Sequence, residues 1–268
     1  MTWDSDALED YLTQAITAAS RPALPRLMSG PVLIHPGQAG LTIDHQLARA
    51  ALDAALQARL LGEDITTVTL PARPTDIPEQ QLDTSDFPNP DAVHLTFDDG
   101  PGVNTEAILD ILAQYNARAT FYLIGNRVGR YPEQLHRILS DGHRIGNHTW
   151  SHPYLTSLDA GGIAREINST QDAIESITGM RPSRLRPPYG AVNPAVNAAV
   201  ANLGLTMSLW TIDPQDWLTT RQASDIVDFV LDQAQPGSVI LLHVNHQHTV
   251  DALPSLITGL RDMGLDVD

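Results

Sequence analysis

His94-Leu95-Thr96-Phe97-Asp98-Asp99-Gly100-Pro101 decides how this chain of 268 residues is read. Val93, Leu95 and Phe97 alternate with His94, Thr96 and Asp98, the period of two that marks a strand with unlike faces. Gly100-Pro101 ends the alternation in a turn. Two adjacent carboxylates therefore stand at the end of a buried strand. Like charges there are costly unless a metal, an arginine or a proton compensates them. Asp-Asp-Gly alone also reads as the mere start of a turn, so the choice rests on what the rest of the chain supplies.

Downstream, strand and helix alternate. Strand 93–97 leads to a helix near 104–115, strand 119–124 and a helix at 132–141 with Pro132 at its start and Gly142 past its end. A helix over 160–178 closed by Gly179, strand 184–186, helix 194–203 and strand 206–212 follow, then helix 223–234, strand 238–243 and helix 250–262. Regular βα alternation implies parallel strands. Six or seven such units in about 175 residues point to a small or incomplete barrel.

Each strand ends in chemistry. Asp98 and Asp99 end the first, and His143 to His152 follow Gly142. Arg186-Pro187-Pro188-Tyr189 ends another, Asp213-Pro214-Gln215-Asp216-Trp217 another, and His243 the last complete one. In a βα barrel the C-terminal strand ends share one face, where a site is built. His148 and His152 are four apart, a spacing that puts two imidazoles on one face of a helix or a strand. With a carboxylate from a neighbouring strand end they make a site with three protein ligands and an open position, as in catalytic rather than structural zinc centres. Two prolines cannot join a ladder, so Arg186–Tyr189 reads as a rigid loop that fixes an arginine and presents the Tyr189 backbone N–H. A proline-rich bend is the plainer alternative. Trp217 suits either the core or a sugar platform, and a lone His243 at a strand end suits either a structural or a catalytic role. His246 and His248 are expected to be exposed or to touch substrate.

Upstream, Ala7, Leu8, Tyr11, Leu12 and Ile16 predict a helix over 6–18. Val32-Leu33-Ile34 reads as a strand. A second helix is expected over 44–60, with Leu47, Ala51, Leu52, Leu56 and Leu60 on its apolar face, and the β-branched run 65–70 as a strand. Residues 71–90 hold prolines at 71, 74, 78, 88 and 90, the composition of a linker or wrapping segment. The chain thus divides into a small α+β domain over 1–85 and a larger domain over 86–268.

Composition narrows the function. Arg supplies all 16 basic residues against 32 acidic ones, giving a net charge of −16. That balance argues against nucleic acid and anionic membrane surfaces as partners. There is no cysteine, so disulfides and thiolate chemistry are excluded, and any metal must be held by carboxylate and some of the ten histidines. No apolar run is long enough for a transmembrane segment. Asp4, Asp6, Glu9 and Asp10 are the opposite of a basic leader, so a secreted protein would carry its targeting segment outside this sequence.

The five pieces together resemble the polysaccharide deacetylases of carbohydrate esterase family 4, the NodB-homology domain, over residues 91–267. The matching motifs, in order, are Thr96-Phe97-Asp98-Asp99-Gly100-Pro101, His148-Thr149-x-x-His152, Arg186-x-Pro188-Tyr189, Asp213-x-x-Asp216-Trp217 and Leu241-x-His243. The resemblance implies an α/β fold, a distorted (β/α)7 barrel, and hydrolysis of N-acetyl groups. It implies Asp99, His148 and His152 as ligands of a divalent metal, Zn2+ or Co2+. Asp98 would be the base, held ionised by Arg186. His243 would be the acid, tuned by Asp216, and the Tyr189 backbone N–H would face the oxyanion. Trp217, Leu241, Pro188 and Tyr189 would bind substrate. Val244 departs from the Asp often found after the last motif histidine.

Residues 3–82 resemble a small peptidoglycan-binding module found beside some bacterial wall enzymes; a structural extension is the alternative. On that likeness the expected substrate is a cell-wall glycan, foremost peptidoglycan N-acetylglucosamine. Chitin oligomers, acetylxylan and non-catalytic wall binding stand as alternatives. The expected location is outside the membrane, secreted or wall-associated.

Overall fold

A computed structural model describes residues 12, 26–29, 32–35, 41–43, 45–60, 68, 72–74, 79–81, 89 and 91–268. The chain divides into two compact units, Met1–Arg26 with Pro36–Gln80, and Leu27–His35 with Gln81–Asp268. Strands β1 (Arg26–Ser29) and β2 (Val32–His35) are antiparallel partners. In the first unit, β3 (Leu41–Ile43) pairs antiparallel with β4 (Ala72–Pro74), and a helix spans His45–Leu60. Leu12, Ile43 and Ala48 are buried together, with Leu52 packed on them. The helix therefore turns its Ala48–Leu52 stripe inward, and Leu47, expected on the apolar face, is exposed. The strand expected at 32–34 is β2. Of the helix expected at 6–18 only Leu12 is described, as helical, and of the strand expected at 65–70 only Val68, in neither helix nor strand; the rest lies outside the described residues. The stretch expected as a linker contains β4 and β5 (Glu79–Gln81), because extended proline-rich chain can still pair at its free groups.

The second unit is built on six parallel strands: β6 (His94–Gly100), β7 (Ala119–Leu123), β8 (Arg144–Asn147), β9 (Arg184–Leu185), β10 (Thr206–Met207) and β11 (Val239–His243). Their order is β10-β9-β8-β7-β6-β11. The expected strand 206–212 is broken in two, and the break closes the ring. Its start pairs with Arg184 and Leu185 of β9, while Thr211 and Ile212 donate to the Val239 carbonyl and Ile212 bridges Ile240 of β11. Between them the Leu209 carbonyl accepts from Arg186 instead of joining a ladder. The expected seven-membered barrel is thus realised as six strands curled round, with single-residue bridges where a further strand would lie, including Val267 on Val93.

The alternation read at 93–98 is the organising device. Val93, Leu95, Phe97, Phe121, Leu123, Ile240 and Leu242 face a helical layer and join its core with Ile108, Leu109 and Leu112 of helix Thr105–Gln114 and Leu253, Leu256 and Ile257 of helix Gln247–Asp262. Full burial of each such side chain contributes about 1.5–3 kcal/mol. The opposite face carries His94, Thr96, Asp98, Thr120, Tyr122, His148, Arg186, Ser208, Leu241 and His243, and it is mostly polar. No helix among the described residues is long and apolar enough to cross a membrane.

Candidate active site

Parallel pairing brings the strand ends to one face. β6 and β11 are in register with His243 opposite Asp98, so these two side chains stand side by side. Arg186 follows β9 and is fully buried. One of its nitrogens donates to Asp98 Oδ1 at 2.9 Å and to Thr96 Oγ1 at 2.8 Å, and another to the Leu209 carbonyl at 3.0 Å. Its guanidinium lies over the Tyr122 ring, 4.1 Å from the centroid. Thr96 in turn donates to the Ile240 carbonyl. Burial pushes the Asp98 carboxyl above the ordinary carboxylate value, and the Arg186 and His243 charges pull against it. The expectation that Arg186 simply holds Asp98 ionised is thus one half of a balance.

Asp99, His148 and His152 converge. Their donor atoms lie within 4.8 Å of one another, with Asp99 Oδ1 3.7 Å from His148 Nε2 and 3.4 Å from His152 Nε2. Bonds of about 2.0–2.1 Å at tetrahedral angles require donor separations of roughly 3.3 Å, so these residues fit a divalent cation. The tautomers suit it too. His148 Nδ1 donates to the Arg186 carbonyl at 2.8 Å, leaving Nε2 bare, and His152 Nδ1 lies 3.2 Å from the Tyr189 hydroxyl. Burial pulls His148 down to about 3, so its imidazole is neutral, the ligand form.

The two histidines do not meet by helical or strand periodicity. His148 directly follows β8, and the chain then turns through left-handed backbone at Thr149 (φ 67°) and His152 (φ 62°). Asp99 (φ 68°), Tyr189 (φ 61°) and Gln215 (φ 58°) share that conformation. Each costs on the order of 1–3 kcal/mol and persists only where its surroundings over-determine it. For the histidine loop those surroundings are explicit. Glu166 on helix Ala160–Thr178 accepts from the Trp150 and Ser151 N–H groups and the Ser151 hydroxyl at 2.8–2.9 Å. The Thr149 and Trp150 carbonyls accept from Gly125 and Asn126.

On the other side, Asp216 is fully buried and makes three bonds. It accepts from His243 Nδ1 at 2.7 Å, from the His243 backbone N–H at 2.8 Å and from Thr249 Oγ1 at 2.7 Å. Burial alone would lower the His243 pKa; the Asp216 bond and charge outweigh it and carry it to about 9. Asp213 is pushed up by burial and accepts from the Gln215 N–H, and Trp217 further along this loop is exposed. Pro188 and Leu241 are buried, and Tyr189 is half exposed, stacked on Tyr154 at 3.9 Å.

The structure therefore gathers Asp98, Asp99, His148, His152, Arg186, Asp216 and His243 at one strand-end face, with Pro188, Tyr189, Trp217 and Leu241 on the elements that form it. His248 differs from its expectation of exposure: the last helix starts at Gln247, three residues early, and half-buries His248 against the Asp216 carbonyl. Thr96, Arg127, Glu166, Asn245 and Thr249 were not singled out from the sequence. Of these only Thr96 carried a signal, as an inward residue of the first strand.

Known proteins resemble this chain over about two thirds of its length. A family model described as polysaccharide deacetylase matches residues 86–208. The peptidoglycan-N-acetylmuramic acid deacetylase PdaC of Bacillus subtilis is 44% identical over 178 residues, 66% of this chain and 37% of that protein. The peptidoglycan-N-acetylglucosamine deacetylase PgdA of Listeria monocytogenes is 37% identical over 175 residues, 65% of this chain and 37% of that protein. A chitooligosaccharide deacetylase of Rhizobium leguminosarum bv. trifolii is 40% identical over 181 residues, 65% of this chain and 80% of that protein. The solved structure of PdaC superposes with a TM-score of 0.63 at 43% identity, covering 67% of this chain and 88% of that one. The match thus spans 37% of the length of the first two relatives.

Proposed function

The chain belongs to the polysaccharide deacetylase family, and on that premise we propose that it hydrolyses N-acetyl groups of a cell-wall glycan, foremost the N-acetylglucosamine of peptidoglycan, releasing acetate. The observation that carries the reading is the Asp99–His148–His152 donor set, flanked by a carboxylate held by Arg186 and an imidazole held by Asp216. Those three residues would hold a divalent metal, Zn2+ foremost and Co2+ as the alternative. When bound, it supplies Lewis acidity and lowers the pKa of water.

The chain's own groups do the rest. Asp98 is the general base that takes a proton from the attacking water, its proton affinity raised by burial and limited by Arg186. The tetrahedral oxyanion that forms on the acetyl carbon faces the Tyr189 backbone N–H. An amine leaves only when protonated, so His243 donates to the nitrogen, and Asp216 keeps that proton in place at neutral pH. One water is consumed; acetate and a free amine are the products. Trp217, Leu241, Pro188 and Tyr189 line the acetyl and sugar pocket.

Residues 1–85 are read as a separate domain that binds peptidoglycan ahead of the barrel domain 86–268, and the protein as acting outside the membrane. A second substrate, chitin oligomers, is favoured by the Rhizobium relative, of which the match covers 80%. The test is acetate release after chelation and then Zn2+ or Co2+ addition, on peptidoglycan and chitin oligomers in parallel. Sugar analysis of the product assigns glucosamine or muramic acid, and pelleting with insoluble peptidoglycan compares the chain with and without residues 1–85. Metal-dependent release from peptidoglycan is the expected result. Release from chitin oligomers alone would replace the substrate. Metal binding with no release from either, or from acetylxylan, would favour a non-catalytic glycan-binding protein.

A further inference from the structure

Asp99 has two carboxylate oxygens, and the structure uses them differently. Oδ1 faces His148 and His152, at 3.7 and 3.4 Å from their Nε2 atoms. Oδ2 accepts from the side-chain amide of Asn245 at 2.9 Å. Asn245 sits two residues beyond His243, in the loop between β11 and the last helix. Arg127, on the short helix Gly125–Val128, completes the arrangement. It donates to the Asp99 carbonyl at 2.7 Å and to Asn245 Oδ1 at 3.4 Å.

The amide can point only one way. With its oxygen towards the guanidinium, its NH2 meets the carboxylate. The reverse setting would face oxygen with carboxylate and NH2 with guanidinium, unfavourable on both sides. Arg127 therefore orients Asn245, and Asn245 orients Asp99. The left-handed backbone of Asp99 is held by the same bond to its carbonyl.

We propose that Asn245, steered by Arg127, occupies the outer oxygen of Asp99 so that this residue offers a metal a single oxygen, which leaves the remaining position open for water and the acetyl carbonyl. This rests on reading Asp99, His148 and His152 as the metal centre. A carboxylate without that donor can swing its second oxygen onto the cation, since carboxylates bind in one- or two-oxygen modes. The second oxygen would then compete for the position that catalysis needs open. Asn245 and Arg127 are positioning residues, as outer partners of ligating groups commonly are.

Neighbouring bonds provide the control. Asn104 donates to the Val244 carbonyl at 3.0 Å, so it anchors the same loop through a bond that does not involve Asp99. The full chain is freed of metal and titrated with Co2+, following the visible absorption and the affinity against a chromophoric chelator; acetate release is then measured on the loaded protein. Asn245→Ala and the isosteric Asn245→Asp, neither of which carries the amide donor, are compared with Asn104→Ala.

The expected result for both Asn245 variants is Co2+ bound within about tenfold of wild-type affinity, a weaker visible absorption from the added oxygen, and kcat lower by roughly 10–100-fold. Asn104→Ala keeps the wild-type spectrum. Wild-type spectra in both Asn245 variants, or the same spectral change in Asn104→Ala, would overturn the proposal while leaving the metal centre intact. Failure of the wild-type protein to bind Co2+ would overturn the metal reading itself.

Discussion

Histidine 243 shows how much one buried partner decides. Its imidazole is half-buried beside Asp98, a setting that by desolvation alone favours the neutral ring, and Asp216, with smaller help from the Asp98 and Asp99 charges, reverses the outcome to about 9. The general acid is then loaded across neutral pH and lost as pH rises through that value. Asp216→Asn removes the charge and leaves the burial. The alkaline limb of kcat/KM for the metal-loaded enzyme is expected to move down by about 2 units, towards the ordinary histidine value of about 6.5. Activity at pH 7 should fall by about two- to fourfold from lost loading of the acid, since a ring that titrates at about 6.5–7 is only a quarter to a half protonated there. An unmoved alkaline limb would show that another group sets it. Stability follows the same sign. A pKa raised on folding contributes stability that is complete below about 6.5 and lost as pH rises to about 9, so the variant should also show a flatter stability profile between those values.

At the scale of elements, strands and helices were legible where a period is short and uninterrupted. Val93-Leu95-Phe97 against His94-Thr96-Asp98 told both that a strand was present and which of its side chains share a face. The helix at 160–178 was bounded by its own caps: Asp159 accepts from the Gly162 N–H, and Gly179 turns left-handed at φ 71°. The helix Gly125–Val128 and strand β8 were not separately legible, since each is only four residues long. The histidine pair was legible as a pair but not as a turn, because left-handed Thr149 and His152 follow from Glu166 fourteen residues further on. Asn245 was invisible for the same reason: its partner Asp99 lies 146 positions away. The Glu166 brace gives the prediction at this scale. Glu166→Ala should weaken Zn2+ affinity by about 10–100-fold in a competition titration, and Glu166→Gln, which keeps one acceptor oxygen, should recover part of it. Equal affinity in all three proteins would show that the loop holds itself.

For the whole molecule, acid is the expected weakness. His143 is buried against Phe121 with neither ring nitrogen hydrogen-bonded among the described residues, and burial lowers it to about 4. The unfolded chain takes up that proton below about 6.5 and the folded one does not, so stability falls with pH between about 6.5 and 4. His143→Leu removes both the unpaired ring and the titration. Its urea midpoint should equal or exceed wild type at pH 7 and fall less between pH 7 and 5. A parallel fall in both proteins would exclude His143 as a source of acid lability. A different consequence follows from the sheet in which alternate residues of one strand serve the helical core and the reaction face. A chain threaded one position out of step would present Leu95 and Phe97 to the cleft and bury Asp98 among leucines, leaving neither a core nor a catalyst. Misthreading of this kind accordingly lowers the number of active copies in a metal-loaded preparation and leaves the activity of each correctly threaded copy unchanged.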